Sequence, residues 1–414
     1  MKITLGLGTL MAVLCFSAGS LISQQPPAKK AAQPPANNKT AQPPGKTATA
    51  PEKNAPAKTE TSRKTQPAAS TSETIVTYTF DGVRIEGDYY PAPEGKEKTT
   101  PCLILLHPVG PKHFNASRAD FDKLPAKLQQ QGYAVAVIDF RGYGKSKTVE
   151  SKFWNTHRPK TRVLDVIEAK DYATSLELFE LMYDLTALKI WLNTKNNAKE
   201  CNSHVVGIIG LEQAGLIAMA WAANEHTDNY RSRNRTMLNT GGGFNNPNFG
   251  NTGFGNQGFG NQGLGNQGNN PGGNIPRFEG EDIVCIVPIS TSNRLSEPIS
   301  LAVMERWITF LRERQVATMA MYGANDKESV AFWNKASSWV KPANDKYRYK
   351  NSGVKTFKTS LTGIKLLMND TLDVPKALED YLQESLKKTA ESRLWSEQTG
   401  SDRPTPIDIQ RLLR

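Results

Sequence analysis

Apolar runs along the chain alternate with amphipathic stretches, which predicts strands separated by helices. Residues 74–80 and 83–90 read as two strands joined by a short turn, and so predict an antiparallel hairpin. Cys102–Leu106 is a continuous apolar run, as expected for a strand that is buried on both faces. The further predicted strands are Tyr133–Ile138, Val205–Gly210, Ile283–Ile289, Val316–Met321 and Lys355–Thr359.

Helical periodicity predicts the intervening elements. They are Phe121–Gln131, Val163–Asn193, Gln213–Asn224, Ile299–Arg314, Ser329–Val340 and Val374–Leu394. Strands that alternate with helices imply an α/β fold with a doubly wound, mostly parallel sheet and helices on both faces. We expect one domain over residues 73–395, which is long enough to bury a full core, and a C-terminal tail over 396–414.

The N-terminus has the layout of a secretory signal peptide over residues 1–20. Lys2 precedes an apolar run that ends at Phe16, and this run is short for a membrane span, so no transmembrane domain is expected after cleavage. An uncleaved anchor is the alternative. We therefore expect a secreted protein, or one in the periplasm or cell envelope. Beyond this segment Cys102, Cys201 and Cys285 lack metal-ligand spacing, so no metal site is expected. Cys102 and Cys285 lie in apolar runs, which predicts buried free thiols there.

Two segments have compositions that cannot form a core. Residues 21–72 are rich in Pro, Ala and Lys, and residues 239–274 hold 24 Gly or Asn among 36, so we predict a disordered linker and a disordered insertion. Residues 24–70 contain eight Lys or Arg and two Glu, and thus supply six of the net charge of +11. The expected partner of this basic linker is an anionic envelope polymer, and nucleic-acid binding is not indicated.

Four motifs fall in register with the predicted strands. They are Leu103–Gly110 (LILLHPVG), Asp139–Ser146 (DFRGYGKS), Gly207–Gly215 (GIIGLEQAG) and Ala320–Asp326 (AMYGAND). In order and spacing they resemble the α/β-hydrolase family, especially its dienelactone-hydrolase and prolyl-oligopeptidase-like branches, over roughly residues 74–390. The resemblance implies an α/β-hydrolase sheet, an esterase or peptidase type of activity through serine, histidine and an acid, and no cofactor.

The resemblance also assigns the catalytic positions, and two of them hold unsuitable residues. Glu212 stands at the strained strand-to-helix turn where the family has its nucleophilic serine. Asp326 matches the acid, and we expect it to cap the helix that follows. Thr362 stands at the histidine position, and threonine cannot take a proton near neutral pH. No histidine follows His226, so the relay in the family's order is absent.

The oxyanion donors that the resemblance implies are the backbone N–H groups of Val109 and Gln213. Pro108, where the family often has glycine, has no N–H to offer, which weakens the oxyanion site, although the remaining donors would still allow an anion or a carbonyl group to bind. We expect His107 to fix this loop. His113 and His157 have no assigned place.

Three functions remain open. The first is a catalytically inactive pseudohydrolase with a binding or scaffolding role. The second is an active carboxylic-ester or peptide hydrolase with a rebuilt site that uses Glu212, which His113 or His157 within hydrogen-bonding range of that carboxylate would support. The third is an envelope or matrix protein that acts through its low-complexity segments.

Overall fold

The predicted strands form a single eight-stranded sheet. The computed structural model describes residues 72–157, 165–240, 279–341, 351–398 and 406–414. The signal segment, almost all of the predicted linker and almost all of the predicted insertion lie outside the described residues. The strands are β1 Glu73–Tyr78, β2 Arg84–Tyr90, β3 Pro101–Leu106, β4 Ala134–Ile138, β5 Asn202–Leu211, β6 Ile283–Ile289, β7 Ala317–Gly323 and β8 Gly353–Phe357.

Hydrogen bonding orders the strands β1-β2-β4-β3-β5-β6-β7-β8. Strand β2 is antiparallel to both of its neighbours, and the other pairs are parallel. Every residue of β3, β4, β5 and β6 is buried, because helices cover both faces of the sheet. Along β3, Ile104 and Leu106 enter one apolar cluster while Leu103 and Leu105 enter another. The predicted doubly wound, mostly parallel sheet is confirmed.

Helices connect the strands and form the two outer layers. They are α1 Leu124–Gln130, α2 Phe153–Thr156, α3 Ser175–Phe179, α4 Met182–Asn197, α5 Gln213–Thr240, α6 Leu301–Glu313, α7 Lys327–Val340, α8 Gly363–Leu367, α9 Val374–Leu382, α10 Lys388–Ser392 and α11 Ile409–Leu413. One π turn, Gln383–Lys387, joins α9 to α10. Among the described residues, none of the helices has both the length and the apolar character that crossing a bilayer requires.

The connection between β4 and β5 differs from the prediction of one helix over Val163–Asn193. The structure has a 3₁₀ turn at Ala169–Asp171, then α3, and only then α4, which begins at Met182. The Thr174 hydroxyl accepts the N–H of Glu177 at 3.2 Å, and the Glu177 carboxylate accepts the N–H of Thr174 at 2.9 Å. This capping box begins a new helix inside the periodic stretch, so the single long helix was wrong.

A buried ionic cluster fixes the turn after β4. The fully buried Arg141 donates from Nη1 to Asp81 and from Nε to Asp184, each at 2.8 Å. At the rim of the group, Nε2 of His157 lies 3.1 Å from Glu180, whose carboxylate is 3.8 Å from Arg141. We call these five residues the Arg141 cluster. It ties the β1–β2 turn and the start of α4 to the edge of the sheet.

Part of the predicted C-terminal tail packs against the domain. Ile407 and Ile409 are buried in one of the two apolar clusters. Trp307 on α6 donates its indole N–H to the carbonyl of Leu412 at 3.2 Å. The last described residues therefore contribute to the core.

Candidate active site at the elbow after β5

Glu212 occupies a strained turn between a strand and a helix. It lies alone between β5, which ends at Leu211, and α5, which begins at Gln213, and its φ is +52°. That left-handed conformation costs a residue with a side chain about 1–2 kcal/mol. The strand and helix are close here, since a Cβ on Gly210 would lie 2.6 Å from the Cα of Gly215. The sequence thus forms the elbow where the motif predicted it.

Neighbouring strands hold the elbow in place. The N–H of Glu212 donates to the carbonyl of Ile289 at 2.8 Å, and the Thr291 hydroxyl donates to the carbonyl of Glu212 at 2.9 Å. Ser290, between these two residues, also has a left-handed φ of +52°. Strained residues on adjacent strand ends persist only where the surrounding structure holds them, and they are concentrated at functional sites.

His113 binds the carboxylate of Glu212. Its Nε2 lies 2.8 Å from Oε2 of Glu212, and the two side chains are 21% and 20% exposed. The loop after β3 carries His113, whose N–H donates to the carbonyl of Gly110 at 2.9 Å. The family's order places the histidine after Asp326 and so does not assign His113, which is one of the two histidines whose contact with Glu212 was expected to support a rebuilt site. The strand order indicates this contact. Strands β3 and β5 are parallel neighbours, so the segments that follow them meet at one edge of the sheet.

Asp326 immediately precedes α7 and caps its N-terminus. Its carboxylate accepts the hydroxyl of Ser329 at 2.6 Å and the N–H of Ser329 at 3.3 Å. The predicted helix cap is therefore present. The same residue lines a cleft together with Glu212, but its hydrogen bonds serve the helix.

Thr362 lies at the N-terminus of α8, with no side-chain capping bond, and faces the same region as Glu212. The next residue, Gly363, has a φ of +50°, and a Cβ there would lie 2.5 Å from Oε1 of Glu212. Its N–H donates to the hydroxyl of Ser290 at 3.0 Å. Backbone therefore lies beside the second oxygen of Glu212 at the position where the family resemblance expects an imidazole.

The loop after β3 lies against the elbow. Within the described ranges, neither the N–H of Val109 nor that of Gln213 donates to a protein acceptor, whereas the N–H of Gly110 donates to the Tyr143 hydroxyl at 2.7 Å. The side-chain oxygen of Gln213 is buried without a hydrogen-bond partner. His107 is fully buried and accepts the N–H of Phe140 at 3.2 Å through Nε2, so it fixes the loop as expected. Burial lowers the pKa of this imidazole.

Two clefts meet at Glu212. Their volumes are about 550 Å³ and about 410 Å³. Both are lined by Lys112, His113, Glu212 and Thr362. Lys365 and Asp120 line the larger cleft, and Lys327, Asp326 and Glu328 line the smaller, so charges of both signs surround the carboxylate.

Other candidate groups lie elsewhere. His157 belongs to the Arg141 cluster, so it is not a partner of Glu212. Cys102 and Cys285 are buried free thiols, as predicted, and so is Cys201; burial raises the pKa of Cys285 to about 12. In the part of the chain that the structure describes, no group of three or more His, Cys, Asp or Glu side chains could hold a metal ion.

Comparison with known proteins finds similarity only among solved structures. No protein-family model and no curated protein matches the chain. The esterase Pf2001 of Pyrococcus furiosus is 14% identical, over 76% of this chain and 91% of that one, with a TM-score of 0.41. The α/β hydrolase GrgF of Penicillium sp. sh18 is 11% identical, over 76% and 99%, with a TM-score of 0.41. A serine hydrolase of Xanthomonas campestris without a lid is 10% identical, over 76% and 94%, with a TM-score of 0.38.

At these sequence identities and TM-scores the similarity gives no information about the reaction that this protein carries out. The assignment of the fold follows from the chain itself. The strand order has a single antiparallel strand between β1 and β4, and a strained elbow joins β5 to α5. Parallel strands with helices on both faces complete the arrangement. The chain has the α/β-hydrolase fold, with a glutamate at its elbow and a histidine bound to that glutamate from the loop after β3.

Proposed function

We propose that the folded domain binds a small ligand in the clefts at Glu212 and does not carry out the covalent serine reaction of the family that it resembles. The observation that carries this proposal is the carboxylate at the elbow, held by His113 at 2.8 Å. A serine hydrolase needs a hydroxyl nucleophile, an imidazole bonded to it and an acid that orients the imidazole. Here Glu212 replaces the hydroxyl, Thr362 replaces the imidazole, and Asp326 caps α7.

The surroundings of Glu212 favour a ligand with a carbonyl or anionic group. The N–H groups of Val109 and Gln213 are free of protein acceptors within the described ranges. Val109 is buried, and a buried N–H group without an acceptor is costly, so a ligand oxygen that accepts it would be favoured. Lys112 lines both clefts but lies 3.5 Å from the Glu328 carboxylate, so the unpaired N–H groups carry this preference and the lysines do not. A cleft of about 550 Å³ is within the usual size range for small-molecule sites.

Two probes test binding in the full-length protein. p-Nitrobenzoate supplies an anion and p-nitroacetanilide supplies a neutral carbonyl group that resists hydrolysis. We expect at least one of them to raise the melting temperature, and Thr362→Trp, which places a bulky side chain at a position that lines both clefts, to abolish the increase. Lys376→Trp places the same side chain at a site that is 73% exposed, and should leave the increase unchanged. A fluorophosphonate probe for serine nucleophiles should not label the protein. Specific labelling, or failure of both ligands to bind, would contradict the proposal.

The second candidate is a hydrolase with a rebuilt site that uses Glu212. The contact between His113 and Glu212 favours it, because hydrolysis at a carboxylate site needs a nearby base to activate water. This histidine reaches the elbow from the loop after β3, a route that the family order does not contain. Turnover of simple carboxylic esters that disappears with Glu212→Ala would favour this candidate over a purely binding role.

The third alternative and the expected location concern segments outside the described residues. Secretion through residues 1–20, attachment to an anionic envelope polymer through the basic linker, and a role for residues 239–274 remain predictions from composition. Deletion of residues 24–70 tests the attachment. We expect the deleted form to be released from the envelope fraction at lower salt than the full chain, because opposite charges hold the linker to the polymer.

A further inference from the structure

His113 and Glu212, the pair at the elbow, include a basic nitrogen, Nδ1 of His113, that has no part in the ligand binding proposed above. A carboxylate accepts hydrogen bonds and does not donate them, so the neutral imidazole of His113 bonded to Glu212 carries its proton on Nε2. The lone pair is then on Nδ1. Within the described ranges, Nδ1 of His113 has no hydrogen-bond partner. The ring is one-fifth exposed and lines both clefts, so a ligand can approach it.

We propose that His113 is a general base for the hydrolysis of small carboxylic esters by water, and that Glu212 is its positioning carboxylate. The inference rests on the clefts being a ligand site, as proposed above, and adds a reaction to that site. It gives the elbow a different role from the one that the resemblance implies. The elbow residue positions the imidazole instead of attacking the substrate, and the imidazole comes from the loop after β3.

Water is the nucleophile in this proposal because none of the hydroxyl groups that line the clefts forms a hydrogen bond with His113 within the described ranges. In the described part of the chain, the His113 side chain forms a hydrogen bond only with Glu212. A base without a bonded protein hydroxyl can still activate water that enters the cleft.

The reaction transfers one proton in each direction. Nδ1 of His113 takes a proton from water while the water oxygen bonds to the carbonyl carbon of the ester, and the carbonyl π electrons move to its oxygen. The free N–H groups of Val109 and Gln213 are the available donors to that oxyanion. When the intermediate collapses, the bond between the carbonyl carbon and the leaving oxygen breaks. The imidazolium returns its proton to the leaving oxygen, so the products are a carboxylic acid and an alcohol or phenol.

A double-mutant cycle in the full-length protein with p-nitrophenyl acetate tests these roles. We expect His113→Gln to lower kcat/KM on the order of 10²-fold, which is the low end of the usual contribution of a general base. Glu212→Ala should lower kcat by about tenfold or more with little change in KM, because the carboxylate acts through the imidazole. The double variant should be no slower than His113→Gln alone. Glu384→Gln removes an exposed carboxylate on the π turn and should behave as the wild type.

Isotope labelling distinguishes water attack from a covalent route through Glu212. During turnover in H₂¹⁸O, we expect label in the released acetate, none in Glu212, and no acetylated protein in quenched samples. An acetyl group on Glu212, independent effects of the two substitutions, or undiminished turnover in His113→Gln would each overturn the proposal. Circular dichroism of each variant checks that the fold is retained.

The non-hydrolysable probe separates this inference from the proposed function. If p-nitroacetanilide binds to the wild type and not to Thr362→Trp, the ligand site stands. In that case, wild-type hydrolysis of p-nitrophenyl acetate no faster than that of His113→Gln overturns the general-base role alone. If neither p-nitroacetanilide nor p-nitrobenzoate binds and the ester is not hydrolysed, both proposals fail.

Discussion

Two polar groups of this domain combine carboxylates with basic side chains, and their burial separates their roles. In the Arg141 cluster, Arg141, Asp81 and Asp184 are completely buried. In the elbow pair, Glu212 and His113 are each about one-fifth exposed and line open clefts. Arg141 bonds to both of these carboxylates, while His157 and Glu180 form a partly exposed rim of the cluster. The elbow pair leaves one carboxylate oxygen and one imidazole nitrogen without protein hydrogen bonds within the described ranges.

The electrostatic consequences of burial are visible in the carboxylates. Burial raises the pKa of Asp184 to about 6, although Arg141 acts in the opposite direction. Burial also raises the pKa of Asp81, but the charge and hydrogen bonds of Arg141 outweigh it and leave the pKa below its ordinary value. The guanidinium of Arg141 is therefore the counterion of both buried carboxylates. We expect substitutions in the cluster to affect stability far more than ligand binding.

The largest effect should come from removal of that guanidinium. Arg141→Met would leave Asp81 and Asp184 buried without their counterion, and we expect a loss of about 3–5 kcal/mol in the free energy of unfolding, measured in urea. Lys376→Met, which breaks an exposed pair, should cost less than about 0.5 kcal/mol. If Arg141→Met does not fold, Asp81→Asn provides a milder test. A loss below about 1 kcal/mol for Arg141→Met would contradict a structural role.

Gly363→Ala should affect both stability and the elbow pair. The added methyl group forces a left-handed residue to carry a Cβ, which costs about 1–2 kcal/mol, and it would lie 2.5 Å from Oε1 of Glu212. Gly95→Ala is the matched control, because Gly95 also has a positive φ but nothing lies within 4 Å of its Cβ position. Both variants should lose stability in urea, whereas only Gly363→Ala should lose binding of p-nitroacetanilide. Equal binding by the two variants would show that the carboxylate can move freely.

Asp326→Ala tests whether the acid position has become a helix cap. We expect a loss of about 1 kcal/mol in the free energy of unfolding, typical of an N-cap, and unchanged ligand binding. Asp408→Ala removes the cap of α11, where Asp408 accepts the N–H of Arg411 at 3.0 Å, and should have a comparable but no larger effect. A strong decrease in ester turnover by Asp326→Ala, without a change in fold, would argue that the acid still serves the site.

The smallest effect concerns the pH dependence of the Arg141 cluster. Burial lowers the pKa of His157. Glu180 and Asp81 outweigh this effect and raise the pKa above the ordinary value of 6.5. The guanidinium of Arg141 also faces the Glu180 carboxylate to which His157 bonds. A histidine whose folded pKa is raised stabilises the fold fully below its unfolded pKa, and this stabilisation is lost as pH rises through the folded value. Urea titrations at several pH values from 6 upward should therefore show a decline of about 0.5 kcal/mol that is absent in His157→Gln. An identical pH dependence in the two proteins would contradict it.

Local patterns were sufficient to predict most of the fold. Strands buried on both faces produce continuous apolar runs, so Cys102–Leu106 and Ile283–Ile289 were placed to within one residue. The stretch Val163–Asn193 was misread because apolar periodicity continues across the capping box of Thr174 and Glu177. The hydrogen bonds of this capping box begin a new helix inside the stretch, although the apolar periodicity over the whole stretch predicts a single helix.

The site was predictable only where its geometry is local. Glu212 at the elbow and Asp326 as a cap follow from short motifs, because neighbouring residues create those conformations. The contact between Glu212 and His113 joins residues 99 positions apart. It depends on the path of the loop after β3, which periodicity does not encode. Strand order could have suggested it, since β3 and β5 are adjacent.

The central claim is that Glu212 fixes the proton of His113 on Nε2 and leaves Nδ1 as the base. ¹⁵N spectroscopy of the imidazole groups measures this directly, with the His113 signals assigned by their absence in His113→Gln. At a pH where the ring is neutral, the account predicts a protonated Nε2 and an unprotonated Nδ1 in the wild type, and a mixture of tautomers in Glu212→Ala. A wild-type His113 with its proton on Nδ1, or with a tautomer distribution unchanged by Glu212→Ala, would contradict the account.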